Sequence, residues 1–256
     1  MSARGLATVV EPEVEVVAAG GVDDVMVRRA RRVIGQLLRR HHLGQDARIR
    51  LTALGNSHGT TIAQVNVKCA GRPVRAQADG PGGFALTFAA ERLDRQLTRL
   101  LDLAPPRWEP DPGRAPLAYA GAEKPVVHWK TVVPMVGDVR AAVAAMDAMD
   151  YDAHLFTDRD TGEDALVYWA GPTGVRLARQ HHTRPPREIT ALRLTVNPQP
   201  TRELTEAEAA ARLCRYGLPF LFYTDAEAGR GRLLYRRYDG NLGLVLAAGS
   251  AAVRPS

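Results

Sequence analysis

The sequence predicts an α+β protein. Its N-terminal domain has a four-stranded sheet with two helices on one face, and two small tandem α+β repeats follow. Three observations predict this. Strand and helix patterns come in the order β-α-β-β-β-α, a proline-rich segment follows, and the remainder repeats itself at a constant spacing. A chain of 256 residues has room for two or three small domains, and an apolar share of 45% gives each a core.

The first strand and helix open the N-terminal domain, which we place at residues 13–104 after a short tail at 1–12. Residues alternate from Val14 to Ala18, a pattern typical of a half-buried strand, and two glycines end it. Asp23-Asp24 then supplies acid at a helix start. Apolar residues at helical spacing carry the helix to about His42.

Three further strands and a second helix complete this domain. Alternating residues predict strands over 48–53, 61–70 and 74–78, with a turn at Gly71-Arg72 before the last strand. A helix with leucines on its inner side then runs from residue 84 to about 103. The two helices are expected to cover the same face of the sheet, since each has one apolar side.

Residues 105–123 read as an extended linker. This segment contains five prolines and two glycines within nineteen residues. Such a composition disfavours both helices and central strands, and it is typical of a semi-rigid spacer. We therefore expect the linker to separate the N-terminal domain from the rest of the chain.

The C-terminal half contains an internal repeat, which we place at 124–180 and 188–249. Leu155-Phe156-Thr157-Asp158 matches Phe222-Tyr223-Thr224-Asp225, and further matches keep the same offset of 67 residues. Each copy reads as a strand, an alanine-rich helix, a strand, a turn, a strand and a last short strand. A unit with one helix cannot cover both faces of its sheet, so we expect the two repeats to pack on each other.

The charge of the chain favours a polyanionic partner. The formal net charge is +6 and the sequence pI is about 9.7, and residues 1 to 104 hold 15 Lys/Arg against 10 Asp/Glu. Only three of the cations are lysines. Arginine binds phosphate in a bidentate manner, but a GC-rich genome would produce the same bias through its codons.

Little in the sequence suggests catalysis or metal binding. The segment Asp158 to Asp164 faintly resembles a calcium loop, but its glycine comes one position early and no closing glutamate follows at the right distance. The adjacent histidines at 41–42 and 181–182 would diverge on a helix, and no phosphate loop or catalytic triad can be found. We expect no catalytic residues, no metal and no cofactor.

Compartment and redox state are inferred from features that the chain lacks. No stretch approaches 18 apolar residues and the first residues carry no cleavage signal, which predicts a cytoplasmic protein without a membrane partner. Cys69 and Cys214 lie far apart in apolar stretches, so no disulfide framework is expected.

Several segments resemble one known family. Val74 to Gly80 (VRAQADG) and Glu91 to Leu97 (ERLDRQL) are similar to the last strand and the basic helix of the ribosome-binding domain of the hibernation-promoting factor and protein Y family. Leu234 to Leu244 (LYRRYDGNLGL) resembles the end of the C-terminal domain in that family's long form. The corresponding end of the first repeat reads as two residues shorter and lacks the arginine pair.

The resemblance implies a non-enzymatic ribosome hibernation factor. The N-terminal domain would occupy the mRNA and tRNA channel of the small ribosomal subunit, within whole ribosomes, and translation would stop because the channel is filled. Two features depart from the family pattern. The C-terminal domain is present twice, and Pro81-Gly82-Gly83 replaces the acidic residues before the second helix.

The resemblance and the spacing of cations together select candidate RNA-binding residues. The family's basic helix matches at Arg92, Arg95 and Arg99, which are spaced to lie on one helix face. The first helix adds a second stripe, which could join the first in one basic groove, and nearby strands add two more cations. The candidates beyond the matched helix are Arg28, Arg32, Arg39, Arg75 and Lys68. Each could instead be an ordinary solvated cation.

Alternatives remain at two points. A general RNA- or DNA-binding regulator without ribosome specificity would share the same basic α+β pattern, and an enzyme acting on nucleic acid would need a carboxylate or histidine cluster that the first domain lacks.

The repeats could pair within one chain, as an intramolecular pseudo-dimer, or be exchanged between two chains. The short spacer and opposite net charges of the repeats favour the pseudo-dimer, with −2 for residues 124–179 and +4 for 184–254.

Overall fold

A computed structural model describes residues 13–55, 59–104, 124–186, 193–237 and 240–248. The chain divides into two compact units. Unit 1 comprises the described residues up to 104 together with 148–150, and unit 2 comprises the described residues 124–147 and those from 151 onward. The predicted tail at 1–12 and the predicted linker at 105–123 lie outside the described residues.

Unit 1 has the element order β-α-β-β-β-α, as the sequence predicts. Strand β1 pairs in parallel with β2, and the other neighbours pair antiparallel in the order β1-β2-β3-β4. The bounds are β1 Val14–Ala19, α1 Asp24–Arg40, β2 Ala47–Ala53, β3 Thr60–Cys69, β4 Arg72–Pro81 and α2 Phe84–Leu101.

Local sequence explains where these elements begin and turn. The carboxylate of Asp23 accepts a hydrogen bond from the backbone N–H of Met26 at 2.7 Å and so caps α1. Ala70 and Gly71 both have positive φ and form a two-residue connection between β3 and β4. That geometry matches the right-handed twist of a hairpin, and glycine adopts it at low cost.

One apolar core joins both helices to one face of the sheet. Alternate residues of β2 and β3 are buried against α1 and α2, with Ile49, Leu51 and Val65 fully covered. The intervening residues of the same strands point to the opposite face, which carries polar and charged side chains. The helices therefore lie on one face, as predicted, and among the described residues much of the other face, which we call the open face, is exposed.

Unit 2 contains the two repeats, each with one helix. A short strand precedes each helix, and the sequence did not predict it. In the first repeat the elements are β5 Val126–Val132, β6 Met135–Gly137, α3 Val139–Ala148, β7 Ala153–Asp158, β8 Asp164–Trp169 and β9 Val175–Arg179. In the second they are β10 Leu194–Val196, β11 Glu203–Leu204, α4 Glu206–Arg215, β12 Phe220–Asp225, β13 Gly231–Arg236 and β14 Leu242–Ala247.

The two repeats exchange their first strands. One sheet has the order β10-β9-β8-β7-β6, and the other has the order β11-β12-β13-β14-β5. Strand β5 of the first repeat thus pairs with β14 of the second, and β10 of the second repeat pairs with β9 of the first. The sequence pattern indicated the order of strands in each copy but did not say which sheet each first strand joins.

The 67-residue offset continues to the end of each repeat. Val175 pairs with Trp169 in one copy and Leu242 pairs with Arg236 in the other, so the connecting loops have equal length. The predicted two-residue shortening of the first copy is therefore wrong. That prediction aligned Gly174 with Gly243. The strand register instead makes Gly174 equivalent to Asn241 in the second repeat.

Three apolar clusters hold unit 2 together. One lies between α3 and its sheet, and one lies between α4 and the other sheet. The third lies between the two sheets, on the faces that the helices leave uncovered, and includes Leu155 and Leu166 of the first repeat with Phe222 and Leu233 of the second. No helix among the described residues is long and apolar enough to cross a membrane.

The helix caps of the two repeats are equivalent in position but different in chemistry. The Asp138 carboxylate accepts from Ala141 N–H at 2.8 Å at the start of α3. At the equivalent position before α4, Thr205 accepts from Glu208 N–H at 3.3 Å, and the Glu208 carboxylate accepts from Thr205 N–H at 2.8 Å. This reciprocal pair is a capping box.

We predict that Asp138→Ala and Thr205→Ala will each lower the free energy of unfolding of unit 2 by about 1 kcal/mol, because each leaves helix N–H groups without an acceptor. Urea unfolding of the full chain, followed by circular dichroism, measures the loss. Thr205→Ser keeps the hydroxyl and serves as the control. A Ser variant as unstable as the Ala variant would show that the cap contributes nothing.

Candidate nucleic-acid interface

The outer side of α1 forms a ridge of arginines. Arg28, Arg32 and Arg39 are exposed and are spaced four and seven residues apart, which keeps them on one stripe. The buried side of the same helix carries Ala30 and Ile34, so this stripe points away from the sheet. We call these three residues the α1 ridge. Three cations on a rigid helix are suited to contacting successive phosphates.

Contacts with α2 hold α1 in place. The Asp94 carboxylate lies 2.5 Å from Nη2 of Arg40 and 2.6 Å from Nε2 of His41, at the C-terminal end of α1. Near the other end, Arg29 Nη2 donates to Thr87 Oγ1 at 3.4 Å. The flank of α1 beside the ridge is therefore attached to α2, and the ridge itself stays exposed.

The environment of Asp94 shifts its pKa. Partial burial would by itself raise that pKa, but hydrogen bonds from His41 and Arg40 and their Coulombic attraction outweigh it, and the pKa is lowered. The carboxylate is thus held in its charged form. It places one negative charge at the seam between the two helices.

Arg92 is buried, contrary to the prediction of an exposed stripe on α2. Its side chain is 9% exposed, and Nη1 donates to the carbonyl oxygen of Gln77 at 2.5 Å. The same nitrogen lies 3.4 Å from the carboxylate of Asp150, which belongs to unit 1 and also accepts from Gln77 N–H. A guanidinium placed in this way supports the fold and is not presented at the surface.

The two other arginines of the predicted α2 stripe differ in exposure. Arg95 is exposed and Arg99 is half-buried. Their spacing places them on the flank of Arg92, which faces β4, whereas Asp94 marks the flank that faces α1. The seam between the helices carries the Asp94 carboxylate, and the single basic groove that the two stripes could form stays a prediction.

The open face of the sheet carries a second group of cations. Lys68 is exposed and Arg75 is half-buried, and Arg75 Nη1 donates to the carbonyl of Met149 at 3.3 Å. Arg48 and Arg50 of β2 are also exposed on this face. Sequence reasoning did not select these two, although their alternation with buried Ile49 was a sufficient signal.

No cluster for metal binding is found among the residues that the structure describes. No three His, Cys, Asp or Glu side chains there come together to hold a metal ion. In the segment that faintly resembles a calcium loop, Asp158 binds Arg179 Nε at 2.7 Å and Asp164 binds Arg230 Nε at 2.7 Å. His182 lies 2.9 Å from Glu163. These carboxylates are already bound by basic side chains of the protein itself.

A family model for the C terminus of the sigma 54 modulation/S30EA ribosomal protein matches residues 121–177. The matched range is the first repeat, although the ending of the second repeat carries the more specific resemblance. Two relatives called dormancy associated translation inhibitor, from the CDC 1551 and H37Rv strains of Mycobacterium tuberculosis, are each 46% identical over 245 residues. That alignment covers 93% of this chain and 89% of the relatives. The chain belongs to the long-form hibernation-promoting factor family.

Two solved structures are similar to part of this chain. The N-terminal domain of Protein Y from Thermus thermophilus is 19% identical, with a TM-score of 0.29, over 34% of this chain and 98% of that domain. A ribosomal subunit interface protein from Coxiella burnetii is 20% identical, with a TM-score of 0.28, over 35% of this chain and 98% of that protein.

We predict that reversing Arg28, Arg32 and Arg39 to Glu will weaken binding to purified small ribosomal subunits by at least about 100-fold at moderate salt. Three lost phosphate contacts should also reduce the slope of log affinity against log salt by about 3. Titrations at several salt concentrations measure both quantities.

Two matched variants make this test specific. Reversal of Arg140, Arg159 and Arg215, which are exposed arginines of unit 2, changes the net charge equally. Reversal of Arg48, Arg50 and Lys68 tests the open sheet face. Equal losses in the ridge variant and the unit 2 variant would show that only total charge matters, and would contradict the ridge assignment.

A separate prediction concerns Asp94. Asp94→Asn should lower the stability of unit 1 by less than about 1 kcal/mol at pH 7, because the carboxylate is one third exposed. The lowered pKa means that the wild-type carboxylate stabilises the fold above the ordinary pKa of Asp, and that this contribution disappears as pH falls through the folded value. Urea unfolding at pH 7 and at acid pH should show the difference shrinking. A pH-independent difference would argue against charge as its cause.

Proposed function

We propose that this hibernation-promoting factor inhibits translation by binding the small ribosomal subunit and preserves inactive ribosomes. Its 46% identity over 93% of the chain to relatives called dormancy associated translation inhibitor carries this proposal. The net charge of +6 and the exposed α1 ridge agree with a partner made of RNA.

Inhibition would come from occupation of a ribosomal binding site and not from a catalysed reaction. We place unit 1 in the channel used by mRNA and the anticodon ends of tRNA, where one ligand excludes the other. Arginine contacts with phosphate would supply most of the affinity, and base reading would add little. A non-enzymatic role fits this mechanism, and such a protein would act in the cytoplasm, where ribosomes translate.

The α1 ridge is the proposed primary contact. Its three guanidinium groups are exposed on a helix that a cap, a core and the Asp94 contacts hold in place, so little backbone entropy is lost on binding. Arg95 would extend the contact surface, with Lys68 and the β2 arginines on the open sheet face. RNA contacts by Arg92, Arg99 and Arg75 stay predictions, and the burial of Arg92 and partial burial of the other two make them weaker candidates.

We further propose that the two repeats pair within one chain as an intramolecular pseudo-dimer. Support comes from the apolar cluster that joins Leu155 and Leu166 to Phe222 and Leu233, and from the exchange of β5 and β10. A tethered partner acts at an effective concentration of about millimolar order, which is above the concentration expected for a second molecule. The protein would then hold single ribosomes without joining them in pairs.

The main alternative is a regulator that binds RNA or DNA without preference for ribosomes. The basic surfaces of unit 1 would serve it equally well, because phosphate contacts carry no sequence information. The two functions differ in what competes for binding. An excess of double-stranded RNA of unrelated sequence should displace a general binder but leave a ribosome-specific factor in place.

We predict that the full chain, added to purified ribosomes, will sediment with small subunits and single ribosomes and will inhibit translation in a cell-free system. Sucrose gradients with immunodetection measure the first property, and reporter synthesis measures the second. The α1 ridge variant should fail in both assays, while the matched unit 2 variant should behave as wild type.

Two results would contradict parts of this proposal separately. Loss of the protein from the ribosome peaks on addition of unrelated RNA would favour the general regulator. A large peak of paired ribosomes would contradict pairing of the repeats within one chain, and would favour their exchange between two chains.

A further inference from the structure

The contact surface between the two sheets of unit 2 joins unlike residues at equivalent positions. With the 67-residue offset, Ala153 corresponds to Phe220, Leu155 to Phe222 and Ala178 to Val245. The first repeat thus contributes the smaller side chain at each of these positions, and the second contributes the larger one. Because protein interiors are close-packed, such differences in volume affect which sheet faces fit each other.

Asp164 differs from its equivalent residue in both charge and size. Its equivalent in the second repeat is Gly231, and the two residues face each other. The carboxylate accepts from Gly231 N–H at 2.9 Å and from Arg230 Nε at 2.7 Å, and a second bond to Arg230 makes the pair bidentate. The Asp164 side chain is 2% exposed. A carboxylate buried to this extent needs such partners to stay charged.

The space for this carboxylate exists because residue 231 is a glycine. A Cβ on Gly231 would lie 2.5 Å from the Cβ of Asp164 and 2.9 Å from the ring of Phe222. Atoms of real side chains do not approach so closely. Only one of the two equivalent positions can therefore carry a side chain in this packing.

A second polar contact has the same asymmetry. Gln180 of the first repeat donates to Thr224 Oγ1 at 3.2 Å and to the carbonyl of Gly229 at 3.0 Å. The equivalent position in the second repeat is Ala247, which is buried and can make no such bond. Again the first repeat supplies a long polar side chain, and the second supplies its hydrogen-bond acceptors and the space that the side chain fills.

Pairs of identical repeats would lose these contacts. Two first repeats would bring two Asp164 carboxylates together in a buried place, and each would face an aspartate where it now meets the Gly231 N–H. Two second repeats would leave Arg230 without its acceptor. They would also place a Phe222 ring at both equivalent positions, one of which Leu155 now occupies. Like charges in a buried site oppose association, and Arg230, whose side chain is 34% exposed, would lose its bidentate ion pair.

We propose that Asp164, Gly231 and Arg230 form a specificity element that allows the first repeat to pair only with a second repeat. The partner that fits the first repeat's sheet face is a sheet with glycine opposite Asp164 and arginine just before that glycine. A further copy of the first repeat does not fit. This inference deepens the proposed pairing within one chain, but it concerns which repeats pair and not whether they share a chain.

The test separates charge from size at position 231 in the full chain. Gly231→Asp and Gly231→Asn add side chains of nearly equal volume, and only the first adds a charge. Each is made with Asp164 present and again with Asp164→Asn. Beside Asp164, Gly231→Asp should melt about 5 °C or more below Gly231→Asn. In the Asp164→Asn background this difference should vanish or reverse.

Gly55 supplies the matched control for the substitutions themselves. It is exposed, and a Cβ there meets nothing within 4 Å. Gly55→Asp and Gly55→Asn should melt within about 1 °C of each other in both backgrounds, since surface substitutions have small effects. Equal melting of Gly231→Asp and Gly231→Asn beside Asp164 would overturn the proposal, since size alone would then explain the losses.

The mass of the wild-type chain, measured by light scattering, keeps this proposal distinct from the proposed function. A dimeric chain that shows the charge effect would support the specificity element and contradict pairing within one chain. A monomeric chain without the charge effect would support pairing within one chain and overturn the specificity element.

Discussion

The fold of unit 2 depends on one constraint: a single helix covers only one face of a sheet. Helix α3 covers one sheet through Met146 and Val143, and α4 covers the other through Leu213. The remaining faces carry Leu166 and Leu233, which are too apolar to stay in water. Packing these faces together removes both from solvent, and the duplication of the repeat within one chain supplies the second face.

The same constraint has a different solution in unit 1, with a direct effect on function. Two helices cover one face of the sheet, so the outer sides of the helices and the open sheet face are left to solvent. Cations on both surfaces have no core role, and the fold supports them rigidly. Arg92 is the exception, because its position near the core directs its guanidinium towards Gln77 at the edge of the sheet.

Local patterns in the sequence were sufficient for the elements but not for their long-range pairing. Asp23 and the alternation around Ile49 and Val65 predicted the helix start and the strand faces, since each depends on neighbours along the chain. The burial of Arg92 could partly be predicted from helical spacing, because it lies three residues after buried Ala89 and four before buried Gln96. The exchange of β5 could not be predicted from the sequence, because either sheet offers an edge strand of similar chemistry.

Strand exchange changes what separation of the repeats requires. Because β5 lies in the sheet of the second repeat and β10 in the sheet of the first, parting the repeats breaks two strand ladders as well as the apolar contact. A repeat from another chain gains no new kind of contact, yet it must first displace strands that the tether keeps close. A chain with one repeat can cover its apolar face only with a second molecule, so its pairing depends on concentration. Under the proposed pairing within one chain, duplication would make that pairing independent of concentration, as the proposed action on single ribosomes requires.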